Sequence, residues 1–331
     1  MHIKIMLHRT LATLSNQNGA TAVLTAFAMV ALLGLAALSV DIGYVTLTKA
    51  QLQTAADQAA LAGAQNLIPG RVDTAKAITD AKTYAAKSPG RATDTVVADP
   101  NVSGTTATIQ VTTSRTVPTF FARVFNNDEN TLSALAMATV TPASGIPNAP
   151  PFVIGQSTVN NLDYTEQYTM HIPSNDHYVY GPYEFDYCNV VFKNTTSFDD
   201  YLKLVEYGYS ETCTTDTDLY YYGPSSGGQQ SVDAFYERTV NDTNTDPSKA
   251  QVGEQRLMLI PVVKEIPARD TRQYSTRGLE IVGFVGFFLE EVHKEYGKKF
   301  WAKGRFVQVN VPGSTGNGGN YYGLNSIQLI K

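Results

Sequence analysis

Residues 20–40 read ATAVLTAFAMVALLGLAALSV, twenty-one positions without a charged side chain. A helix rising about 1.5 Å per residue would carry that stretch across roughly 31 Å, the hydrocarbon thickness of a bilayer. The sequence therefore predicts a membrane anchor, and everything else in the chain must be arranged around it.

The flanks set a direction. Residues 1–19 carry Lys4 and Arg9, with His2 and His8 and no acidic residue, whereas the first charge on the other side is Asp41. By the positive-inside rule the expectation is a single-pass inner-membrane protein with a cytoplasmic tail at 1–19, a transmembrane helix at 20–40 and a periplasmic carboxy-terminal bulk. Two other readings remain open at this point. Ala37-Leu38-Ser39 is a small-x-small triplet suited to signal-peptide cleavage, although such peptides normally carry an apolar region of only about 7 to 15 residues. A buried helix of a soluble core would have the same composition, but would leave the basic leader without a purpose.

From Asp41 to Leu67 there is no proline, the stretch ends at Ile68-Pro69-Gly70, and Val45, Leu52, Ala56, Ala59 and Gly63 recur at helical spacing. The span is thus expected to continue unbroken over 41–67, forming a rod on the order of 70 Å long. Its outer half carries overlapping small-residue rows, Ala55/Ala59/Gly63 and Ala56/Ala60/Ala64. Such rows let another helix approach closely, so they are the expected helix-packing interface. The alternative is that they pack on the chain's own globular part.

These residues also carry a family resemblance. Gly19 to Val23, Gly34 to Tyr44 (GLAALSVDIGY) and Gln51 to Ala64 (QLQTAADQAALAGA) resemble the amino-terminal signature of TadG-like proteins of the Flp (Tad) pilus system. A looser likeness continues through 117–125 and 132–138. The resemblance implies a non-enzymatic envelope protein that assists pilus assembly, with the membrane and other pilus-assembly or pilin-like proteins as partners and no cofactor. Leu24 stands where type IV pilins carry a glutamate, so the likeness does not extend to prepilin processing, and no D-x-S-x-S metal string of larger relatives is found.

The rest of the chain predicts an α+β architecture. Residues 73–88 begin with Asp and are alanine-rich, a second helix; 105–113 and 131–140 alternate as strands, with a short helical turn at 119–125. Residues 68–141 thus form a small α+β unit, and the proline-rich 142–151 suggests an extended linker. Beyond it, 152–331 reads as a mainly-β domain with strands near 183–193, 256–264, 280–292 and 303–311, and short helices at 198–207 and 232–237. The run at 281–289 is apolar on both faces, which marks a central strand. Residues 313–323 read as a loop, and Ile327, Leu329 and Ile330 as a last edge strand.

A net charge of −5, with 17% charged residues, gives no basic footprint, which argues against nucleic acid as a partner. Cys188 and Cys213 are the only cysteines. In an oxidising periplasm they are expected to form a disulfide with a chain-entropy contribution of roughly 3.5 kcal/mol, two buried free thiols being the alternative. Their spacing does not suit a zinc site.

Candidate chemistry is sparse. His171 with Asp176 and His177, and Glu290 and Glu291 with His293, are the two histidine groupings, and each is better read as solvated polar residues. Asp242-x-Asn244-x-Asp246 alternates oxygen donors as a calcium loop does, but Pro247 replaces the turn glycine and Gly253 the bidentate glutamate. Twelve of the nineteen tyrosines fall between Tyr164 and Tyr222. They suit either a β-domain core or a face that recognises a surface ligand, the reading behind a second expectation of an adhesin or glycan-binding protein. An oligomer is compatible with both.

Overall fold

The computed structural model describes residues 18–87, 89–121, 123, 128–171, 183–186, 188–192, 197–221, 228–265, 278–293, 301–312 and 319–330. Helix α1 (Asn18–Ala64) is one unbroken rod of 47 residues. It stops three residues short of the expected end because Asn66 turns the chain. The Asn66 N–H donates to the Gly63 carbonyl (3.1 Å) and its side chain donates to Asp80 (2.9 Å). The small antiparallel pair β1 (Leu67–Ile68) and β2 (Arg71–Val72) follows. Asp73 then caps α2 (Thr74–Ala85), accepting from the Lys76 N–H at 2.8 Å.

Strands β3 (Thr95–Ser103), β4 (Thr106–Pro118) and β5 (Glu129–Pro142) form an antiparallel meander. β4 alternates inward apolar residues with outward Thr and Gln, so one face is free to pack and the other meets water. After it come β6 (Gly145–Ile146), β7 (Phe152–Gly155), the single turn α3 (Gln156–Val159), β8 (Tyr168–His171), β9 (Glu184–Asp186) and β10 (Cys188–Val191). The chain continues through α4 (Phe198–Tyr207), β11 (Cys213–Thr214), β12 (Tyr220–Tyr221), α5 (Gly228–Val240), β13 (Leu257–Val263), β14 (Ile281–His293), β15 (Trp301–Val307), β16 (Val309–Pro312), β17 (Asn320–Tyr322) and β18 (Leu324–Ile330).

Two sheets organise the chain beyond α1. The larger has the strand order β12-β10-β7-β13-β14-β15-β8-β9, with β17 joining β14. β13 and β14 are its centre, and β13 is buried on both faces along its whole length. Met258, Ile260 and Val262 enter one core, which α4 and α5 close with Tyr201, Val205, Val232 and Phe235. Leu257, Leu259 and Val263 enter a second core on the opposite face. The expected central strand at 281–289 and the helix at 198–207 are both present; the latter starts with a capping box between Ser197 and Asp200.

The smaller sheet, β16-β18-β5-β4-β3, differs from the expected organisation. Residues 324–330 do not form an edge strand of the mainly-β part. They pair antiparallel with β5 from Asn325–Pro142 to Ile330–Met137, and parallel with β16 on the other side. The small α+β unit is therefore completed by the last strand of the chain. Nor is 142–151 an extended linker. Ala143, Ile146 and Ala149 are buried in the second core, and β6 pairs with β11. The prolines limit hydrogen bonding there but not burial, because the segment runs beneath strands that supply the apolar cover.

The disulfide is also corrected. Cys188 and Cys213 are free thiols, both buried in the second core. Cys188 lies on β10 opposite Val153, and Cys213 on β11 opposite Ile146, so each thiol is fixed by a different strand pair. Burial pushes each thiol up to about 12, which keeps both protonated and unreactive at neutral pH. The expected outcome of thiol titration without reductant is no reaction in the folded protein and two reactive thiols after denaturation. A denatured chain with no reactive thiols would contradict this arrangement.

Candidate functional site

Helix α1 changes environment at one residue. Every side chain described from Thr21 to Val40 is exposed except the half-buried Ala37, with Leu24, Phe27, Val30 and Leu33 at 68–71%. This is the one helix among the described residues long and apolar enough to cross a membrane, and its most apolar stretch is unburied, which removes the reading as a soluble core helix. Asp41 is then the first buried residue, and Thr48, Leu52, Ala55, Ala56, Ala59, Ala60, Gly63 and Ala64 continue the buried face.

That face settles the fate of the small-residue rows. Ala55, Ala56, Ala59, Ala60 and Ala64 are fully buried within this chain. Ala56, Ala59, Ala60 and Ala64 pack with Ala77, Ala81 and Ala85 of α2 and with Ile109, Val111, Ala136, Ala138 and Val140 of the smaller sheet. A Cβ on Gly63 would lie 2.5 Å from Ile109 Cδ1 and 3.0 Å from the Ala77 carbonyl oxygen, so any larger residue would force Ile109 and α2 to shift. The expected helix-packing interface is thus an internal one. Short side chains let helix, helix and sheet approach closely, and they leave no room on that face for a helix from another protein.

Below this apolar seam a polar one continues toward the span. Thr113 Oγ1 donates to the Leu52 carbonyl at 3.0 Å, and Arg115 Nη1 donates to Gln51 Oε1 at 3.0 Å. Arg115 also grips Asp94 through Nε–Oδ1 at 2.6 Å and Nη2–Oδ2 at 2.7 Å, both side chains being almost wholly buried. Burial pushes the Asp94 carboxyl up. The Arg115 hydrogen bonds and charge, with the Arg91 N–H, outweigh it and hold the group below its ordinary value. Arg115 is correspondingly raised, first by its bond to Asp94. This fork ties β4 and the segment before β3 to the helix.

At the lower end Asp41 closes the seam. Its Oδ1 accepts from the Phe120 N–H at 3.0 Å and its Oδ2 from the Phe121 N–H at 2.9 Å. Tyr44 meets the Phe120 ring edge-on at 5.6 Å between centroids. The two elements are matched in length: α1 rises roughly 33 Å from Gly63 to Asp41, and β4 with its continuation covers roughly 36 Å from Ile109 to Phe120. The helix and strand run antiparallel, so the end of β4 lies where the helix leaves the apolar span. Of the expected helical turn at 119–125, residues 122, 124 and 125 lie outside the described residues, and 119–121 are not helical.

The other candidate residues have structural duties. Asp242 accepts from the Asn244 N–H and, through its other oxygen, from the Arg256 N–H. Asn244 Oδ1 accepts from the Asp246 N–H, and Asp246 accepts from Ser248 N–H and pairs with Lys249 at 3.1 Å. The alternating oxygens of the calcium-like string thus cap successive turns. Among the described residues no group of three or more His, Cys, Asp or Glu side chains is placed to hold a metal ion. His171 and His293 are brought into one cross-strand row on either side of Trp301, with His293 stacked on the indole at 4.6 Å. Asp176 and His177 lie outside the described residues. Glu290 bonds Arg305 at 3.2 Å and Gln167 at 2.7 Å across the sheet. Of the tyrosines, Tyr168 and Tyr201 are buried in the first core, and Tyr209 stacks on Phe192 at 4.1 Å.

Sequence reading found the helix and its small-residue face but not the clasp at Asp41 or the Asp94–Arg115 fork. The latter pair stand 21 positions apart with no motif linking them. Asp41 as the first charge after the span was the available signal, and its partners are backbone N–H groups, which no side-chain pattern encodes.

Residues 19–66 match the family model described as Flp pilus-assembly TadE/G-like, a stretch almost coextensive with α1. The specific part of the sequence resemblance is therefore borne out over the helix, while its looser continuation at 117–125 and 132–138 lies outside the match. No curated protein and no solved structure matches the chain.

The fork has a pH signature. Because the folded Asp94 carboxyl is held below the ordinary value of about 3.8, its contribution is complete above that pH and is lost as pH falls through the folded value. Urea unfolding of the detergent-solubilised chain is expected to show stability falling below about pH 4, with Asp94→Asn flattening that decline. At pH 7 Asp94→Ala should lose about 3 kcal/mol, since it leaves Arg115 buried without its partner. A variant as stable as the parent would contradict the fork's role.

Proposed function

We propose that the protein is a single-pass envelope component of Flp/Tad pilus assembly. Residues 20–40 hold it in the inner membrane, with 1–19 on the cytoplasmic side and everything from Asp41 onward in the periplasm. The family match over residues 19–66 carries this reading. The exposed apolar half of α1 and the basic residues Lys4 and Arg9 ahead of it support the placement and direction.

The role is structural rather than enzymatic. With the small-residue face of the aqueous half of α1 packed against its own sheet, lateral contact with pilin-like or other pilus-assembly helices belongs to the lipid-embedded residues 20–40 and to the exposed face that carries Ile42 and Leu47. The smaller sheet is carried directly on the anchor, and the larger sheet and its helices are joined to it in the periplasm through β18. A surface-binding adhesin is the competing role, and the burial of Tyr168 and Tyr201 gives it no support from those rings.

Deletion of the gene, followed by counting pili by electron microscopy and measuring attachment, tests the proposal. The expected result is loss of pili, restored by the full chain but not by residues 41–331 exported behind a cleavable signal. Normal pili with poor attachment would favour the adhesin, and normal pili with normal attachment would overturn both.

A further inference from the structure

We infer that the start of the β4–β5 connection, at Phe120 and Phe121, is a second contact with the lipid bilayer, seated in the interfacial layer beside the point where α1 emerges. This rests on the reading of residues 20–40 as a membrane span and extends it to a part of the chain far away in sequence.

The geometry leaves these two residues little choice. No residue separates the last exposed apolar position of the span, Val40, from the clasp at Asp41. The Phe120 and Phe121 N–H groups lie 3.0 and 2.9 Å from the Asp41 carboxylate. A bilayer that covers the apolar side chains up to Val40 adds a headgroup layer roughly 5–7 Å deep on that side. Backbone held against Asp41 therefore falls within that layer.

The side chains suit the position. Phe120 and Phe121 are 57% and 46% exposed, two adjacent aromatic rings following a strand whose outward face is Thr, Gln and Ser, with Leu135 of β5 the one large exposed apolar side chain among the described residues of the pair. On the helix at the same level, Val40 and Ile42 are 54% and 57% exposed, so exposed apolar side chains flank Asp41 on both sides in sequence. Tyr44 lies edge-on to Phe120 and completes an aromatic cluster of the kind found at membrane interfaces. Arg123, 63% exposed and 3.5 Å from Asp128, adds a cation that headgroup phosphates accommodate. The Asp41 charge is answered by two backbone donors, which lets a carboxylate sit at the edge of lipid without facing it bare. Two contacts, helix and hairpin, would fix the rotation of the body about the helix axis.

The test uses the full chain reconstituted into phosphatidylcholine–phosphatidylglycerol vesicles, with and without bromine on the acyl chains. Tryptophan is introduced singly as Phe120→Trp and Phe121→Trp, and the signal of the native Trp301 is subtracted from the unsubstituted chain. Leu32→Trp reports the span, and Val97→Trp the exposed face of β3 away from it. The expected result is quenching of about twofold or more at Leu32→Trp and at both hairpin positions, with none at Val97→Trp. Quenching at Leu32→Trp alone would overturn the hairpin contact while leaving the anchor intact. Absence of quenching at Leu32→Trp would overturn the anchor and the hairpin contact together. Blue-shifted but unquenched emission at Phe120→Trp and Phe121→Trp would assign these residues to a protein partner and equally overturn the inference.

Discussion

The packing of one alanine- and glycine-lined helix face against a five-stranded sheet is the contact on which the rest of this molecule depends. Ala56, Ala59, Ala60, Gly63 and Ala64 give α1 a face almost without side-chain bulk, and the inward row of β4 and β5 fills the space with Ile109, Val111 and Val140. Each alanine contributes little burial by itself. The sum is a close contact along which dispersion and exclusion of water act over several helical turns. Polar ties at Thr113, Arg115 and Asp41 then set the axial register, so the helix can neither slide nor turn relative to the sheet.

One consequence concerns the relation between anchor and body. A membrane protein with a flexible tether lets its soluble part wander. Here the same helix is apolar and exposed up to Val40 and turns one face into the core from Asp41 onward, and that face begins at a single residue. The carboxy-terminal strand reinforces the arrangement. β18 leaves the larger sheet's core, inserts beside β5 and makes the first unit dependent on the last residues of the chain. Tyr321 adds a tie, its hydroxyl donating to the Pro69 carbonyl at 2.9 Å. The chain thus closes on its own beginning, and the anchor is coupled to the whole body.

Much of this was legible in the residues. Charge-free length and unbroken helical spacing gave α1, the Asp start gave α2, and the β-branched runs gave the central strands, because those signals are local. What escaped was non-local. Residues 142–151 were read as a linker from their prolines, yet Ile146 and Ala149 are buried; composition reports backbone stiffness and not what lies on top of a segment. Ile327 and Leu329 resembled an edge strand, but their place between β5 and β16 is a matter of topology across nearly two hundred residues. The cysteines invited a bridge because exported proteins favour one, whereas their strand pairings hold them as separate apolar side chains. The small-residue rows leave open an external helix or the chain's own sheet as the covering element, and only the three-dimensional structure puts Ala56, Ala59, Ala60 and Ala64 against the sheet.

The central claim is that α1 is at once the anchor and the core element of the first unit. Hydrogen exchange on two shortened chains tests it most directly, one comprising residues 41–331 and the other 65–331. The account predicts strong protection of the β4 and β5 amides in the longer chain and its loss in the shorter, where the Ile109–Val111–Val140 face has lost its cover. Equal protection of those amides in both would contradict it.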